Sequence, residues 1–208
     1  MKVEVMAIRK RMFATVYDKL AAAEEPKIRE FRERTAGRAN GAVLEIGGGT
    51  GLNLPFYGGD VRRTVAEPNP HMARRLREKA QGLGMSVTII SDVGERLPFR
   101  DGEFDSVVST LVLCSVGDLP GVLNEARRVL KPGGAFYFFE HVAAETKWKR
   151  RFQNWFNGPW RYMGDGCNLN RDIAAGIRQS GFESVEIESI DLAGASVVSP
   201  RIVGTARA

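Results

Sequence analysis

The sequence VLEIGGGTG at residues 43–51 most constrains what this chain can fold into. Its apolar start is typical of a buried β-strand, and the glycines that follow let the backbone turn tightly and stay bare. A ligand can therefore lie against the backbone N–H groups of the turn. Glu45 lies within the strand, and a carboxylate at that place suits a ligand with a cationic amine better than it suits a phosphate.

Short apolar segments alternate with helical segments after Gly41, and this alternation is typical of a parallel sheet covered by helices on both faces. The predicted strands are 42–47, 61–67, 86–91, 104–109 and 135–141, and the predicted helices are 51–57, 70–82, 118–130 and 170–180. Two more strands are predicted at 184–191 and 201–207, and their short connection requires antiparallel pairing. The expected fold class is therefore α/β, with a doubly wound Rossmann-like sheet.

The N-terminal residues 6–34 have a helical pattern, and Pro26 is placed to begin a second helix there. An apolar stripe runs along the first of these helices, formed by Met12, Phe13, Val16 and Leu20. The stripe either packs on its own domain or lies on a membrane surface.

Composition limits the classes of protein and partner. No run approaches the ~18 apolar residues of a membrane span, and the first residues lack the apolar region of a secretory signal. The two cysteines are too few for a disulfide framework, which favours a reducing cytoplasm. A net charge of +5 is mild, so we expect no nucleic-acid partner. Peripheral contact with a membrane stays open, and a monomer and a homodimer are equally compatible with the sequence.

Acidic residues mark the ends of the first three predicted strands, where ligands bind in doubly wound sheets. Glu67 is suited to accept hydrogen bonds from both hydroxyls of a ribose. Asp92 is suited to accept from an exocyclic amine, with the Val93 backbone N–H presented to the ring. With Glu45, these residues describe a ligand that has an amino-acid end, a ribose and an adenine but no phosphate.

S-adenosylmethionine has those parts. The glycine spacing, E-x-G-x-G-x-G, also lacks the final x-x-G of the dinucleotide fingerprint. The competing interpretation is that the glycines form ordinary turns and the acids face solvent. The expected cofactor-binding residues are Glu45, Gly47, Gly49, Gly51, Glu67, Pro68, Asp92, Val93 and Thr110.

The same residues carry a resemblance to a known family. Residues 43–141 resemble the class I S-adenosylmethionine-dependent methyltransferases, through the glycine turn, Glu67, Asp92 and the segments LPF (97–99), FDSVVS (104–109) and LKPGG (130–134). A narrower resemblance is to the methyltransferase-like proteins that methylate alkyl thiols, through TLVLCSV (110–116), FFEHVA (138–143) and GDGCNLNR (164–171). The chain departs from that group in having Gly48 in place of a common cysteine, Glu67 in place of aspartate, and no apolar N-terminal anchor.

Methyl transfer to a thiol, amine or phenol needs a nucleophile in line with the methyl group, so alignment and exclusion of water are the enzyme's main tasks. His141 follows Glu140 at the end of the fifth predicted strand and is the candidate catalytic base. The alternative is a structural histidine that binds a neighbouring loop. A metal site formed by Cys114, Cys167 and His141 is a second alternative, but the C-x-x-C spacing of such sites is missing, so no metal is expected.

The acceptor pocket is expected to lie under an aromatic segment, 148–163, and beside the loop that contains Asp165, Cys167 and Asn168. The aromatic segment either roofs the pocket or belongs to the core, and the loop either lines the pocket or caps the next helix. Tyr17 resembles a lid tyrosine of the quinone methyltransferase branch. The expected pocket residues are Tyr17, Trp155, Trp160, Asp165, Cys167 and Asn168.

The resemblance implies one methyltransferase domain over 1–208, with 1–40 as a helical lid segment and 41–208 as the Rossmann-like core. It implies a seven-stranded sheet in the order 3-2-1-4-5-7-6 with strand seven antiparallel. The implied activity is S-adenosylmethionine-dependent methylation of a small apolar acceptor, with a thiol as first choice. The alternatives are N-methylation of a lipid amine such as phosphatidylethanolamine, C- or O-methylation of a quinone-like ring, and a regulator that binds the cofactor without turnover.

Overall fold

A seven-stranded sheet forms the centre of the molecule. The computed structural model describes residues 2–192 and 200–208, with side chains from residue 11 onwards except those of residues 12, 16 and 20. The strands are Ala42–Ile46 (β1), Arg62–Ala66 (β2), Val87–Ile90 (β3), Phe104–Thr110 (β4), Leu130–His141 (β5), Ser184–Asp191 (β6) and Pro200–Arg207 (β7). The helices are Lys2–Arg34 (α1), Pro70–Gly82 (α2), Leu119–Val129 (α3), Lys147–Met163 (α4) and Ile173–Gln179 (α5).

The strand order is β3-β2-β1-β4-β5-β7-β6, which confirms the predicted topology. Strands β1 to β5 pair in parallel, whereas β7 runs antiparallel to both β5 and β6. The carboxyl ends of β1 to β5 therefore lie at the same edge of the sheet, where the connecting loops can form a site.

The central strands are buried on both faces, as their nearly continuous apolar sequences predict. All five residues of β1 are buried, and the apolar run in β5 packs alternate side chains on opposite faces. Phe136 and Phe138 pack with α3 and α5 in the larger core, while Tyr137 packs in a second cluster on the other face.

Helix α1 differs from its prediction because it continues through Pro26 as one helix of 33 residues. A proline removes one helical hydrogen bond, so contacts with the core must offset that loss. Phe31 stacks on Phe139 with ring centroids 4.8 Å apart, and Arg201 binds the Glu24 carboxylate at 3.0 Å. Of the predicted apolar stripe, Met12, Val16 and Leu20 have side chains outside the described residues.

Two other segments also differ from their predictions. The predicted helix at 51–57 is a pair of turns with a short 3-10 helix at Leu54–Phe56, because Gly51 has a φ of +80° that an α-helix does not allow. The last predicted helix begins at Ile173 rather than at 170, with the Asp172 carboxylate as its N-cap accepting from the Ala175 N–H at 3.0 Å. Among the helices of residues 2–192 and 200–208, none is both long and apolar enough to span a membrane.

Candidate active site

The glycine turn after β1 has left-handed backbone at Gly47, Gly49 and Gly51, with φ values of +67°, +55° and +80°. A Cβ atom on Gly47 would lie 2.5 Å from the Val112 side chain, so that position is closed by packing. Among the described residues, the nearest atoms to a Cβ on Gly49 would be 3.8 Å away. The backbone of Gly49 is therefore the open part of the turn.

Glu67, at the end of β2, is buried and holds the turn in place. One carboxylate oxygen accepts from the Gly49 N–H at 2.7 Å and the other accepts from the Asn69 N–H at 2.8 Å. Hydrogen bonds to an ionised acceptor are stronger than neutral ones. Pro68, which lies between Glu67 and Asn69 in the chain, is exposed.

Glu45 lies in a buried polar network rather than at an open surface. Its carboxylate accepts from the Asn53 amide at 2.8 Å and from the Tyr57 hydroxyl at 2.9 Å. Asn53 in turn donates to the Thr110 hydroxyl at 3.1 Å and accepts from Arg32 of α1 at 2.7 Å. Burial raises the pKa of Glu45 to about 7, and the bonds from Tyr57 and Asn53 oppose that rise. Both Glu45 oxygens thus already have protein partners.

The end of β3 is the most open part of this edge. Asp92 and Val93 are both exposed, and Val93 keeps 47% of its surface. Thr110, at the end of β4, is buried, and its hydroxyl accepts a hydrogen bond from the Asn53 amide. Glu45, Glu67 and Thr110, at the ends of β1, β2 and β4, are thus hydrogen-bonded within the protein, whereas Asp92 and Val93 after β3 are exposed.

Glu140 is a residue of the site that the sequence reasoning missed. It is fully buried next to His141 and accepts from the Ser109 hydroxyl at 2.7 Å and from the backbone N–H groups of Val112 and Leu113 at 2.9 and 3.0 Å. Burial raises its pKa to about 7 against the effect of these bonds. The signal that could have identified it is a lone acid at the end of an otherwise apolar strand.

His141 lies beside two buried thiols. The nearest ligand atoms of Cys114, His141 and Cys167 all lie within 4.8 Å of one another, and Cys167 Sγ is 4.0 Å from His141 Nδ1. A hydrogen bond from the Cys114 thiol lowers the pKa of Cys167, with a further contribution from His141. The same bond, together with burial, raises the pKa of Cys114. The sequence predicted no metal for this trio because the two cysteines lack the C-x-x-C spacing of such sites.

The loop between α4 and α5 is tied to the end of β4. The Asn168 amide donates to the Cys114 carbonyl at 3.1 Å, and Arg171 donates to the carbonyls of Leu113 and Val116 at 2.8 and 2.7 Å. Asp165 has a left-handed φ of +47° at the start of this loop. The helix cap is Asp172, so Asn168 does not cap α5 but holds the two loops together.

Tyr17 of α1 lies over the open glycine, since a Cβ atom on Gly49 would be 4.0 Å from the tyrosine hydroxyl. The helix is fixed on that side by the Arg75 guanidinium, which binds the Asp18 carboxylate at 2.6 Å. Burial raises the pKa of Tyr17 to about 12, so its hydroxyl stays neutral. Helix α1 thus covers the glycine turn.

The two tryptophans predicted for the acceptor pocket lie on opposite faces of α4. Trp160 packs against the large core and approaches Gly164 and Cys167. Trp155 keeps 76% of its surface and forms an outer face with Trp148 and Phe152. Only the inner face of α4 therefore packs on the core, because residues five apart on a helix are separated by well over a quarter turn.

Comparison with known proteins agrees with this architecture. Residues 44–138 match the family model described as a methyltransferase domain. The human thiol S-methyltransferase TMT1A is 34% identical, covering 93% of this chain and 82% of its own, and human TMT1B is 34% identical, covering 82% and 71%. An S-adenosylmethionine-dependent methyltransferase from Thermotoga maritima has the same fold, with a TM-score of 0.67 and 20% identity over 96% of this chain and 98% of that chain.

Proposed function

The chain belongs to the S-adenosylmethionine-dependent methyltransferase family that includes human TMT1A and TMT1B, and from this we propose that it methylates the sulfur of a small apolar thiol. The observation that carries the proposal is the identity to thiol S-methyltransferases over most of both chains. The chemistry agrees, because a thiol with a pKa of ~8.5 needs little help to become a thiolate near neutral pH.

We assign the cofactor to the edge formed by the glycine turn and the ends of β2, β3 and β4. Thr50 Oγ1 and Asn69 Nδ2 beside this turn are buried and have no hydrogen-bond partner among the residues described, which supports a polar ligand there. Bound S-adenosylmethionine supplies a methyl group activated by its sulfonium. The residues proposed to hold it are Glu45, Gly47, Gly49, Gly51, Glu67, Pro68, Asp92, Val93 and Thr110.

Within this set the residues have different tasks. Glu67 offers its carboxylate to the ribose hydroxyls while it fixes the Gly49 N–H. Glu45 acts through its network with Asn53 and Tyr57, which keeps the turn rigid, and its carboxylate balances a cationic amine from within the protein. Asp92, which is exposed, accepts from an amine at the outer end of the ligand.

We place the acceptor next to His141, which promotes formation of the thiolate. Trp160, Asp165, Cys167 and Asn168 surround this side, and Tyr17 covers the approach from α1. The apolar packing of Trp160 supports an apolar acceptor. Trp155 lies outside this pocket in our proposal because its ring faces solvent.

The test is release of S-adenosylhomocysteine with four acceptor classes: alkyl thiols, phenols, quinols and phosphatidylethanolamine in vesicles. We expect turnover with the thiols and a loss of about 100-fold or more in kcat/KM for His141→Ala, the scale of lost acid–base assistance. Turnover with phosphatidylethanolamine or a quinol and none with thiols would refute the proposal. Binding of the cofactor with no product from any acceptor would instead indicate a regulator.

We further propose that residues 1–208 act as one methyltransferase domain in the cytoplasm, as a monomer or homodimer and without a nucleic-acid partner. One continuous sheet supports a single domain. Two free thiols support a reducing compartment.

We also propose that the outer face of α4 contacts anionic membranes. Trp148, Phe152 and Trp155 recur at helical spacing and are 57%, 42% and 76% exposed, and Arg151 lies among them. Exposed aromatic residues next to cations are typical of helices that lie at a lipid surface.

Serine at all three aromatic positions should weaken co-sedimentation with phosphatidylglycerol vesicles by at least about tenfold. Leu83→Ser, at another exposed apolar residue, is the control, and equal losses in both variants would contradict a role specific to α4.

A further inference from the structure

The trio Cys114, His141 and Cys167 has the composition of a metal site. It lies at one point of the fold because the loop after β4, the end of β5 and the loop before α5 converge there. Two sulfurs and an imidazole nitrogen are the ligands that Zn²⁺ prefers, and catalytic zinc sites use three protein ligands with one open position. The two cysteines need no C-x-x-C spacing here, because the three side chains come from separate segments that the fold brings together.

The distances suit a small contraction onto a cation. Tetrahedral Zn²⁺ with sulfur and nitrogen ligands separates the ligand atoms by about 3.6 to 3.8 Å. Cys167 Sγ and His141 Nδ1 are 4.0 Å apart, and no pair in the trio exceeds 4.8 Å. Shifts of a few tenths of an ångström to one ångström, within reach of side-chain rotations, therefore complete the geometry.

The surroundings are consistent with a preorganised site that lacks one partner. The Asn168 amide donates to the Cys114 carbonyl and the Arg171 guanidinium donates to the Leu113 carbonyl. The loops that carry the two cysteines are therefore held together. His141 Nε2 is buried and has no hydrogen-bond partner within the described parts of the chain. Nε2 lies on the opposite side of the imidazole ring from Nδ1, so a metal held through Nδ1 leaves Nε2 open to a further polar partner.

We propose that Cys114, His141 and Cys167 bind Zn²⁺, and that the open fourth position binds the acceptor thiol. The second part rests on the proposed thiol methylation. The thiol RSH loses its proton to solvent and gives a sulfur electron pair to the zinc ion. The bound thiolate then takes up the methyl group, the sulfonium donor becomes neutral S-adenosylhomocysteine, and the thioether, a weaker ligand, leaves. His141 thus promotes thiolate formation as a ligand and not as a free base.

The test uses the full chain, freed of metal by chelation, kept reduced and titrated with Co²⁺ without oxygen. We expect one Co²⁺ per chain, a near-ultraviolet thiolate-to-cobalt charge-transfer band, and displacement of Co²⁺ by Zn²⁺ with a Kd below about 1 μM. Cys167→Ser and His141→Ala should weaken binding by about 100-fold or more. His71→Ala, at the other histidine of the chain, should leave binding unchanged.

Absence of the thiolate band in the wild-type protein would overturn the metal site even if every variant misfolded. Unchanged affinity in Cys167→Ser with native circular dichroism would also overturn it. For the fourth position, an alkyl thiol should shift the cobalt absorption bands, and saturating thiol without a shift would overturn that role. Metal binding without methylation of any thiol would instead refute the proposed acceptor, so the two failures are distinguishable.

Discussion

Glu140→Ala is expected to abolish methyl transfer and to lower the free energy of unfolding by about 3 to 5 kcal/mol. The change removes the acceptor of three donors, and two of these, the Ser109 hydroxyl and the Leu113 N–H, belong to residues with no exposed surface. A buried donor left without a partner costs about 1 to 3 kcal/mol. The same bonds position the loop that carries Cys114, so the site loses its shape along with its stability.

Urea unfolding and S-adenosylhomocysteine release measure the two effects. Glu140→Gln is the matched control, because its amide oxygen still accepts from the loop and its amide nitrogen can donate to Ser109. We expect the glutamine variant to keep most of the stability and part of the activity. An alanine variant within about 1 kcal/mol of the wild type would show that the loop holds itself without Glu140.

The pH dependence of stability provides a second measurement on the same variants. The pKa of Glu140 is about 7 in the folded protein and near 4.5 in a solvated chain, so the folded state binds more protons between these values. Stability therefore falls as pH rises from about 4.5 to 7, by about 3 kcal/mol for this group. Glu45 acts in the same direction. Glu140→Gln should remove the contribution of Glu140, roughly half of the combined fall from Glu140 and Glu45, and an unchanged profile would refute the raised pKa of Glu140.

The fold was predictable because its signals are local. Alternation of apolar strands with helices, the glycine turn after β1 and the short tail connection each depend on neighbouring residues, and family resemblance then supplied the strand order. The errors at Pro26 and at 51–57 have different origins. At Pro26 distant contacts of α1 outweigh a local helix-breaking preference, and at Gly51 a backbone conformation invisible to periodicity ends the helix.

Residues of the candidate site could be predicted only where a residue type at a given place in the fold suggests a single role. Glu67, an acid at the end of a buried strand, is such a residue, and its contact with Gly49 follows from the parallel pairing of β1 and β2. Glu140 and Arg171 were missed because their partners are backbone groups of a loop far away in sequence. The separation of Trp155 from Trp160 depends on the rotation of α4 about its axis, which a dense aromatic segment does not reveal.

Glu67→Gln is expected to weaken S-adenosylmethionine binding by about 100-fold or more. A glutamine side chain has one acceptor oxygen, so it cannot satisfy the N–H groups of both Gly49 and Asn69, and it has no charge to strengthen bonds to the ribose. Two charge-assisted hydrogen bonds, each contributing about 1.5 to 3 kcal/mol, account for a loss of that size. Calorimetric titration with S-adenosylhomocysteine measures it, and thermal unfolding of the free variant reports any general loss of structure.

The proposed contact of Glu67 with the ribose can be separated from its structural contact with the turn by changing the ligand as well as the protein. The wild-type chain should bind the 2′-deoxy analogue of S-adenosylhomocysteine at least about tenfold more weakly than the parent, because Glu67 loses a hydroxyl donor. In Glu67→Gln that preference should shrink to about twofold or less, since the carboxylate that distinguishes the ligands is gone. Full discrimination in the variant would assign the hydroxyl to another residue and leave Glu67 as a support for the Gly49 turn.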